Sequence, residues 1–246
     1  MISKRIYKDI PQVKLVVNFQ TSLGTAHKRS SSIILKKAKI RSDMEEYRGK
    51  KKPTIEINIK IDDAFIEEWH PKYDNFGDDE KGYKTIIAKI SNELSSKGIM
   101  SKDTFIDILN WKAPRLKGIV RLNEFATYEK ALLKCFKAPN NEKLAILDEL
   151  YGIGVPVAST ILHFMYPQFF PIMDIRTAET LHCAGYIRSK ARDQKRYILY
   201  QSTILTIVKD HPKWSLRQID RALFAYHKID LGPKIKGRKG KAKRCS

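Results

Sequence analysis

The chain has 246 residues, 42% of them hydrophobic, which suffices for one large or two small domains with a sizeable core. It carries 47 Lys and Arg against 27 Asp and Glu, giving a formal net charge of +20. A chain this basic indicates a polyanionic partner, with nucleic acid as the first candidate and an acidic membrane surface or ribosome as the second. The segment 234–244 holds seven of the basic residues, but the rest of the chain stays strongly basic without it.

Cysteine usage and hydropathy argue against several classes of protein. The three cysteines, Cys135, Cys183 and Cys245, are odd in number and form no CxxC pair, which argues against a disulfide framework or a zinc module and favours a reducing compartment. The N-terminus lacks an apolar signal segment, and no apolar run reaches the ~18 residues that a membrane helix needs. We therefore expect an intracellular monomer, cytoplasmic (nucleoid-associated) or nuclear, with no membrane partner, metal or cofactor.

The first 62 residues differ from the rest of the chain. Three short runs rich in Val and Ile predict strands: Val13–Phe19, Ile33–Ile40 and Thr54–Ile61. The last of them alternates apolar and polar residues, as a half-buried strand does. We interpret 1–62 as a small strand-containing region with basic loops.

A connector, a helical domain and a tail follow. Residues 63–83 are acidic and interrupted by Pro71 and Gly77, which predicts a connector. From 84 to 230, apolar residues recur at helical spacing, which predicts a compact domain of many short helices in a mainly α chain. The basic segment 231–246 is predicted to be a disordered tail that adds salt-sensitive affinity for nucleic acid.

Local signals place several helix boundaries. Gly98 is predicted to end one helix and Ser101 to cap the next, while Ser215 and Gln218 form a capping-box pattern at the start of the last. A longer helix is predicted to end at His211. Its apolar stripe is predicted to contain Ile198, Leu205 and Val208.

The segment 150–160 (LYGIGVPVAST) predicts two helices joined by a tight turn. Gly152 suits the left-handed conformation that ends a helix, Gly154 lets another backbone approach closely, and Ile153 is predicted to fill the gap between the helices. The second helix begins near Val155, where free N–H groups and the positive dipole end suit a phosphate. Such contacts hold DNA by its backbone without reading its sequence. A plain helical hairpin with a glycine cap explains the same residues.

The second helix leads into a loop dense in aromatics and prolines, 167–173, which ends at Asp174. These features resemble the helix-hairpin-helix DNA glycosylase superfamily, whose hairpin reads L-x-G-[VI]-G-x-x-x-A and is followed by an essential aspartate. The aspartate here lies twenty residues after Gly154, as it does in that family. The hairpin positions that match are Leu150, Gly152, Ile153, Gly154 and Ala158. The resemblance covers 140–185 at the level of motifs and 84–230 as a helical domain.

The resemblance implies an enzyme that cleaves the N-glycosidic bond of a damaged or mismatched base flipped out of double-stranded DNA. Asp174 would stabilise the oxocarbenium-like sugar and orient or deprotonate the attacking water. The alternative is that Asp174 only caps the following helix. The residues implied to bind DNA phosphates are Gly152, Ile153, Gly154, Val155 and Arg176.

The sequence also departs from the family pattern. Strand-cleaving members carry a Schiff-base lysine where this chain has Pro156, and no lysine lies between this proline and Asp174. Cys245 stands alone near the C-terminus, where many members place four cysteines for an iron–sulfur cluster. Arg176 and Glu179 replace a common histidine and arginine. The pattern therefore implies a monofunctional enzyme with water as the nucleophile.

A flipped base needs a flat apolar pocket. The candidates for stacking on it are Trp111, Tyr166, Phe169 and Phe170, each of which, taken singly, is better explained as a core residue. Trp111 stands out because Lys112 and Arg115 flank it at a predicted helix end. Two other functions remain open: a non-catalytic DNA-binding protein that keeps the hairpin, and an RNA- or ribosome-associated basic protein.

Overall fold

The structure is a computed structural model that describes residues 57–76, 80–116 and 125–242, all within one unit of the chain, Pro53–Ser246. This described part is helical and contains no β-strand, so the prediction of a mainly α protein is confirmed. Its α-helices are α1 (Asp63–Trp69), α2 (Glu80–Lys97), α3 (Lys102–Lys112), α4 (Phe125–Lys137), α5 (Asn140–Asp148), α6 (Val155–Met165), α7 (Ile175–Cys183), α8 (Gln194–Asp210), α9 (Leu216–Tyr226) and α10 (Gly232–Ala242). None of them is both long and apolar enough to cross a lipid bilayer.

Helix α6 lies at the centre of the packing. Every residue of this helix except Pro156 is buried, and the helix contacts α2, α3 and α5. A helix that is apolar on all sides is stable only when other elements surround it. Its start is the exception, since Gly154 is exposed and Pro156 is partly exposed. The central helix therefore offers its N-terminal end to a ligand.

The prediction of a connector over 63–83 is wrong. Helix α1 packs on α9 and buries Phe65, whose exposed fraction is 7%. Two of the acidic residues of this segment are held by a buried guanidinium: Arg221 lies 2.7 Å from Asp74 and 3.3 Å from Glu80. Acidic composition is typical of a solvated linker, but here the basic partner that neutralises it lies far away in the sequence.

The predicted N-terminal strands fall largely outside the described residues. The described end of Thr54–Ile61 is extended but pairs with no strand in the described part of the chain. The Ile57 N–H donates to the Cys183 carbonyl at 3.0 Å, and the Ile61 N–H donates to the Tyr186 hydroxyl at 2.9 Å. This segment is therefore bound to the C-terminal end of α7 and the turn that follows it.

The predicted helix boundaries at Gly98, Ser101 and Ser215 are confirmed. Gly98 has a φ of +66° at the end of α2, and the Ser101 hydroxyl accepts from the Thr104 N–H at 3.3 Å. Ser215 and Gln218 form the reciprocal capping box at the start of α9. Local capping chemistry fixes these ends, which is why sequence alone could locate them.

The predicted apolar stripe of the long helix is wrong at Ile198, whereas Leu205 and Val208 are partly buried and pack against the core as expected. Ile198 is 62% exposed, whereas Tyr197 and Tyr200 are each 1% exposed. The buried residues of α8 are Tyr197, Tyr200, Ile204 and Ile207. The two tyrosines face inward because their hydroxyls have hydrogen-bond acceptors there, which compensates for burying a polar group.

The prediction of a disordered tail over 231–246 is wrong for most of its length. Helix α10 covers most of this segment, and Leu231 just before it and Ile235 within it are both buried. The Lys234 ammonium pairs with the Asp230 carboxylate at 2.7 Å, one helical turn apart. These two buried apolar residues hold the otherwise basic segment against the core.

Candidate active site at the hairpin and Asp174

Helices α5 and α6 form the predicted hairpin and pack against each other. Gly152 has a φ of +82°, a conformation that costs an L-residue with a Cβ about 1–2 kcal/mol. Ile153 is only 2% exposed, and its N–H donates to the Leu150 carbonyl at 2.9 Å. The expectations that Gly152 turns the chain and that Ile153 fills the space between the helices are confirmed.

The start of α6 carries no side-chain cap. Gly154 occupies the cap position in extended conformation, and its carbonyl accepts from both Val157 and Ala158. The N–H of Val155 has no carbonyl one turn earlier in the helix to bind, and Pro156 has no N–H. A Cβ on Gly154 would meet nothing closer than 3.9 Å within the described residues, so its backbone faces open space and stays accessible to a ligand.

The loop that ends at Asp174 is held by side chains that bind its backbone. The Tyr197 hydroxyl donates to the Pro171 carbonyl at 3.0 Å, and the Tyr200 hydroxyl donates to the Ile172 carbonyl at 2.8 Å. Both tyrosines lie on α8 and are buried. Leaving a buried carbonyl unpaired costs about 1–3 kcal/mol, so these contacts fix the loop in one conformation.

Helix α6 holds the same loop from the other side. The Ser159 hydroxyl accepts from the Met173 N–H at 3.0 Å, and His163 Nδ1 lies 2.9 Å from the Phe170 carbonyl. The opposite ring nitrogen of His163 lies 2.8 Å from the Tyr83 hydroxyl. Burial lowers the pKa of His163 to about 3, so the ring is neutral and donates from Nδ1 while Nε2 accepts from the tyrosine. Four consecutive residues, 170–173, are therefore tethered through their backbone.

Asp174 emerges from this loop as the N-cap of α7. Its Oδ1 accepts from the Arg176 N–H at 2.9 Å, and the Thr177 hydroxyl accepts from the Asp174 N–H at 3.2 Å, which completes a capping box. Tyr200 also lies 3.0 Å from the Thr177 hydroxyl. The cap expected as the alternative role of Asp174 is present. Only one carboxylate oxygen serves it, however, and the other faces a lysine.

Cationic side chains surround the Asp174 carboxylate. Lys112 Nζ, at the end of α3, lies 3.6 Å from Oδ2, and Arg176 Nη1 lies 3.7 Å from Oδ1. Burial alone would raise the pKa of Asp174, but Lys112, the Arg176 backbone N–H, the Arg176 guanidinium and Arg192 together lower it below 3.8. Asp174 is therefore ionised at neutral pH while its side chain is only 20% exposed.

A second carboxylate lies behind the first. Asp220, on α9, is buried and accepts from Arg217 Nη1 at 2.8 Å. Burial raises the pKa of Asp220 to about 6, against the opposing attraction of Arg217 and Lys112, and the charge of Asp174 raises it further. The two carboxylates thus have pKa values that their surroundings push apart. Neither Arg217 nor Asp220 was suggested by the sequence, because their partners lie on other helices.

The proposed base-stacking residues do not form one pocket. Phe170 is 1% exposed and belongs to the core, so it presents no face to a base. Phe169 is 51% exposed, and its carbonyl accepts from Gln201 Nε2 at 2.8 Å. Tyr166 is engaged by the buried Lys143, whose ammonium lies 4.7 Å from the ring centroid.

Trp111 immediately precedes Lys112, the residue that pairs with Asp174. Its ring packs edge to face on Phe164 at 5.2 Å, and Arg217 lies over it at 5.2 Å. The Trp111 Nε1 atom is buried and has no hydrogen-bond partner in the described part of the chain. Trp111 is therefore partly buried against the core, in contrast to the exposed Phe169.

An open groove of about 520 Å³ joins the two halves of the site. Its walls come from the first turns of α6 and α7 and from the segment before α8. The lining residues are Pro156, Ile175, Ser189, Lys190, Ala191 and Arg192. The uncapped N-terminus of α6 and the basic side chains of Lys190 and Arg192 make this groove favourable for an anion.

The residues that depart from the family pattern have definite places in the structure. Arg176 is partly exposed beside Asp174, with its guanidinium 5.0 Å from the Phe224 ring. Glu179 accepts from Lys190 and lies 2.9 Å from His227 Nε2. Glu179 therefore holds the basic wall of the groove in place.

Comparison with known proteins finds no matching family model, no matching curated protein and no matching solved structure. The site itself is therefore the basis for assigning a function.

Proposed function

We propose that the chain is a DNA-binding protein of the base-excision type, a DNA N-glycosylase that uses Asp174 to release a base from double-stranded DNA. The resemblance of the hairpin and aspartate to the helix-hairpin-helix glycosylases supports this proposal, as does the net charge of +20. The observation that carries it is that two helix starts line one groove, the uncapped start of α6 through Pro156 and the start of α7, capped by the tethered and ionised Asp174, through Ile175. This pairing fits a phosphate on one side and a developing positive charge on the other.

In the proposed reaction, the backbone around Gly152 and Gly154 binds a phosphate, and the flipped nucleotide places its sugar beside Asp174. The C1′–N bond breaks and its electron pair passes to the base nitrogen. The Asp174 carboxylate stabilises the positive charge on the sugar, water oxygen bonds to C1′, and one water proton passes to Asp174. The groove supplies the water-accessible side from which that attack occurs.

A second activity is favoured by one observation. Lys112 places an amine 3.6 Å from Asp174 although the hairpin itself carries no lysine. An amine at this position, once deprotonated, can attack C1′ in place of water and form a Schiff base that leads to strand cleavage. The amine is held in an ion pair with Asp174, so water remains the first candidate for the nucleophile.

The proposal is tested by incubating the full chain with duplexes that each contain one uracil, mismatched thymine, oxidised or alkylated base, followed by alkali. Base release by the wild type and its loss in Asp174→Asn are expected. Duplex binding without release from any of these substrates would leave a non-catalytic DNA-binding protein in which Asp174 is only a cap.

Borohydride trapping separates the two nucleophiles. With water as the nucleophile, no covalent adduct forms. An adduct that forms with the wild type and is absent with Lys112→Gln would identify the Lys112 amine as the nucleophile. The mechanism would then be strand-cleaving and not monofunctional. Lys209→Gln, at an exposed position at the far end of α8, is the matched control for removal of one positive charge.

A further inference from the structure

The Asp174 carboxylate has more positive than negative side chains near it. Lys112 and Arg176 lie 3.6 and 3.7 Å from its two oxygens, and Arg192 is close enough to help lower its pKa. The neighbouring carboxylate, Asp220, is already paired with Arg217 at 2.8 Å. The negative charge of Asp174 is therefore surrounded by three cations.

In the proposed reaction, these cations are close enough to interact electrostatically with the departing base. In the proposed reaction Asp174 faces C1′, and the base nitrogen is one bond from that carbon. Lys112 and Arg176, within 3.7 Å of the carboxylate, would therefore lie near the sugar that Asp174 faces. Arg192 lines the groove beside Ile175, the first residue after Asp174 in α7. A partly buried site strengthens such interactions relative to water.

We propose that the substrate base is neutral in the duplex and departs as an anion, a class whose simplest member is uracil, and that Arg192 stabilises the departing anion. This rests on the proposed glycosylase function. In a base of this class the electron pair of the breaking C1′–N bond stays on the ring nitrogen and is delocalised onto the carbonyl oxygens, so the base departs with a negative charge and nearby cations lower that barrier. A purine already made cationic by N-alkylation is repelled by the same side chains and departs neutral.

The same cations could serve only to bind a DNA phosphate, and leaving-group acidity separates the two roles. A variant that binds a phosphate less well slows every substrate equally. A variant that stabilises the departing anion less well slows a poor leaving group more than a good one. Fluorine makes 5-fluorouracil a more acidic and better leaving group than uracil, with almost the same shape.

The experiment measures single-turnover base release from duplexes containing uracil, 5-fluorouracil or 7-methylguanine, at saturating protein. Wild type is compared with Arg192→Gln, and Lys209→Gln is the control. We expect release of both uracils and none of 7-methylguanine. We also expect Arg192→Gln to slow uracil release by on the order of 10-fold and 5-fluorouracil release by less. Arg192 is exposed, so its replacement leaves the core intact.

Two results would overturn the inference while leaving the glycosylase function in place. One is release of 7-methylguanine in preference to uracil. The other is that Arg192→Gln lowers the release rates of uracil and 5-fluorouracil by the same factor, which would mean that Arg192 binds a DNA phosphate. If none of the three bases is released although the duplex is bound, the proposed function fails, and the inference fails with it.

Discussion

Helices α6 and α7 both begin at the groove, twenty residues apart, and their first turns are built in opposite ways. The first turn of α6 follows Gly154, which has no side chain to cap it, and includes Pro156. The first turn of α7 is closed by Asp174 in a full capping box. The uncapped end leaves the Val155 N–H for a ligand, since Pro156 has none and the next N–H groups donate to the Gly154 carbonyl, whereas the capped end uses its own carboxylate. The start of α6 is thus suited to binding an anion, and the start of α7 is suited to stabilising a positive charge.

The largest expected effect comes from removing the negative charge of Asp174 at the start of α7. Because asparagine caps a helix about as well as aspartate, Asp174→Asn should keep the cap and lose only the stabilisation from the ion pairs with Lys112 and Arg176, while base release falls roughly 10³-fold. Single-turnover kinetics and thermal unfolding measure the two quantities. Asp193→Asn is the matched control, since Asp193 caps α8 by accepting from the Arg196 N–H at 3.0 Å. Equal effects of the two substitutions on base release would reduce Asp174 to a structural cap.

The uncapped end is tested by adding one methyl group. Gly154 has a φ of −86° and open space around it, so Gly154→Ala should fold normally but hinder a phosphate, weakening duplex binding by about 10-fold. Gly152→Ala is the contrasting variant. Its φ of +82° predicts a stability loss of about 1–2 kcal/mol. Duplex titration and denaturant unfolding separate the two outcomes, and unchanged binding in Gly154→Ala would remove the hairpin from the interface.

The tethered loop offers a smaller, more selective test. Tyr200→Phe removes the donor to the Ile172 carbonyl, which should cost about 1–3 kcal/mol of stability and lower the rate of base release several-fold without changing duplex affinity. Tyr128→Phe removes an equivalent donor, to the Tyr151 carbonyl beside the hairpin, at 3.2 Å. It should alter affinity more than rate. The same effect of both variants on rate and affinity would show general destabilisation in place of positioning.

The smallest effect concerns pH. The pKa of Asp174 in the folded protein lies below its ordinary value of 3.8, so its charge stabilises the folded state above that pH, and this contribution is lost as the pH falls through the folded value. The stability difference between wild type and Asp174→Asn should therefore be constant from about pH 7 to 8, rise slightly near pH 6, where protonation of Asp220 relieves its repulsion by Asp174, and shrink below about pH 4. Denaturant unfolding at a series of pH values measures it. A difference that keeps growing below about pH 4 would mean that the pKa of Asp174 is raised.

Features set by neighbouring residues were predictable. The mainly α class, the caps at Ser101 and Ser215, the turn at Gly152 and the capping position of Asp174 all depend on residues within one or two turns of each other. Periodicity and capping chemistry operate over that range, so a single sequence contains the needed signals.

Features set by distant residues could not be predicted in the same way. The segment 63–83 resembles a linker in sequence because Arg221, which pairs with its acids, comes about 140 residues later. The inward face of α8 depends on Tyr197 and Tyr200, and the carbonyls that accept from them belong to a loop on another element. No local pattern carries that information.

The sequence by itself determined the helical class, the glycine turn and the pairing of that turn with an aspartate twenty residues later. Only the tertiary structure decided what surrounds that aspartate. Lys112 reaches it from α3, Arg192 approaches it from the segment before α8, and Asp220 lies behind it on α9. The physical reason is the distance along the sequence over which each interaction acts. Hydrogen bonds and caps along a helix depend on residues that are neighbours in sequence. The electrostatic environment of a carboxylate depends on every charge that folding brings near it.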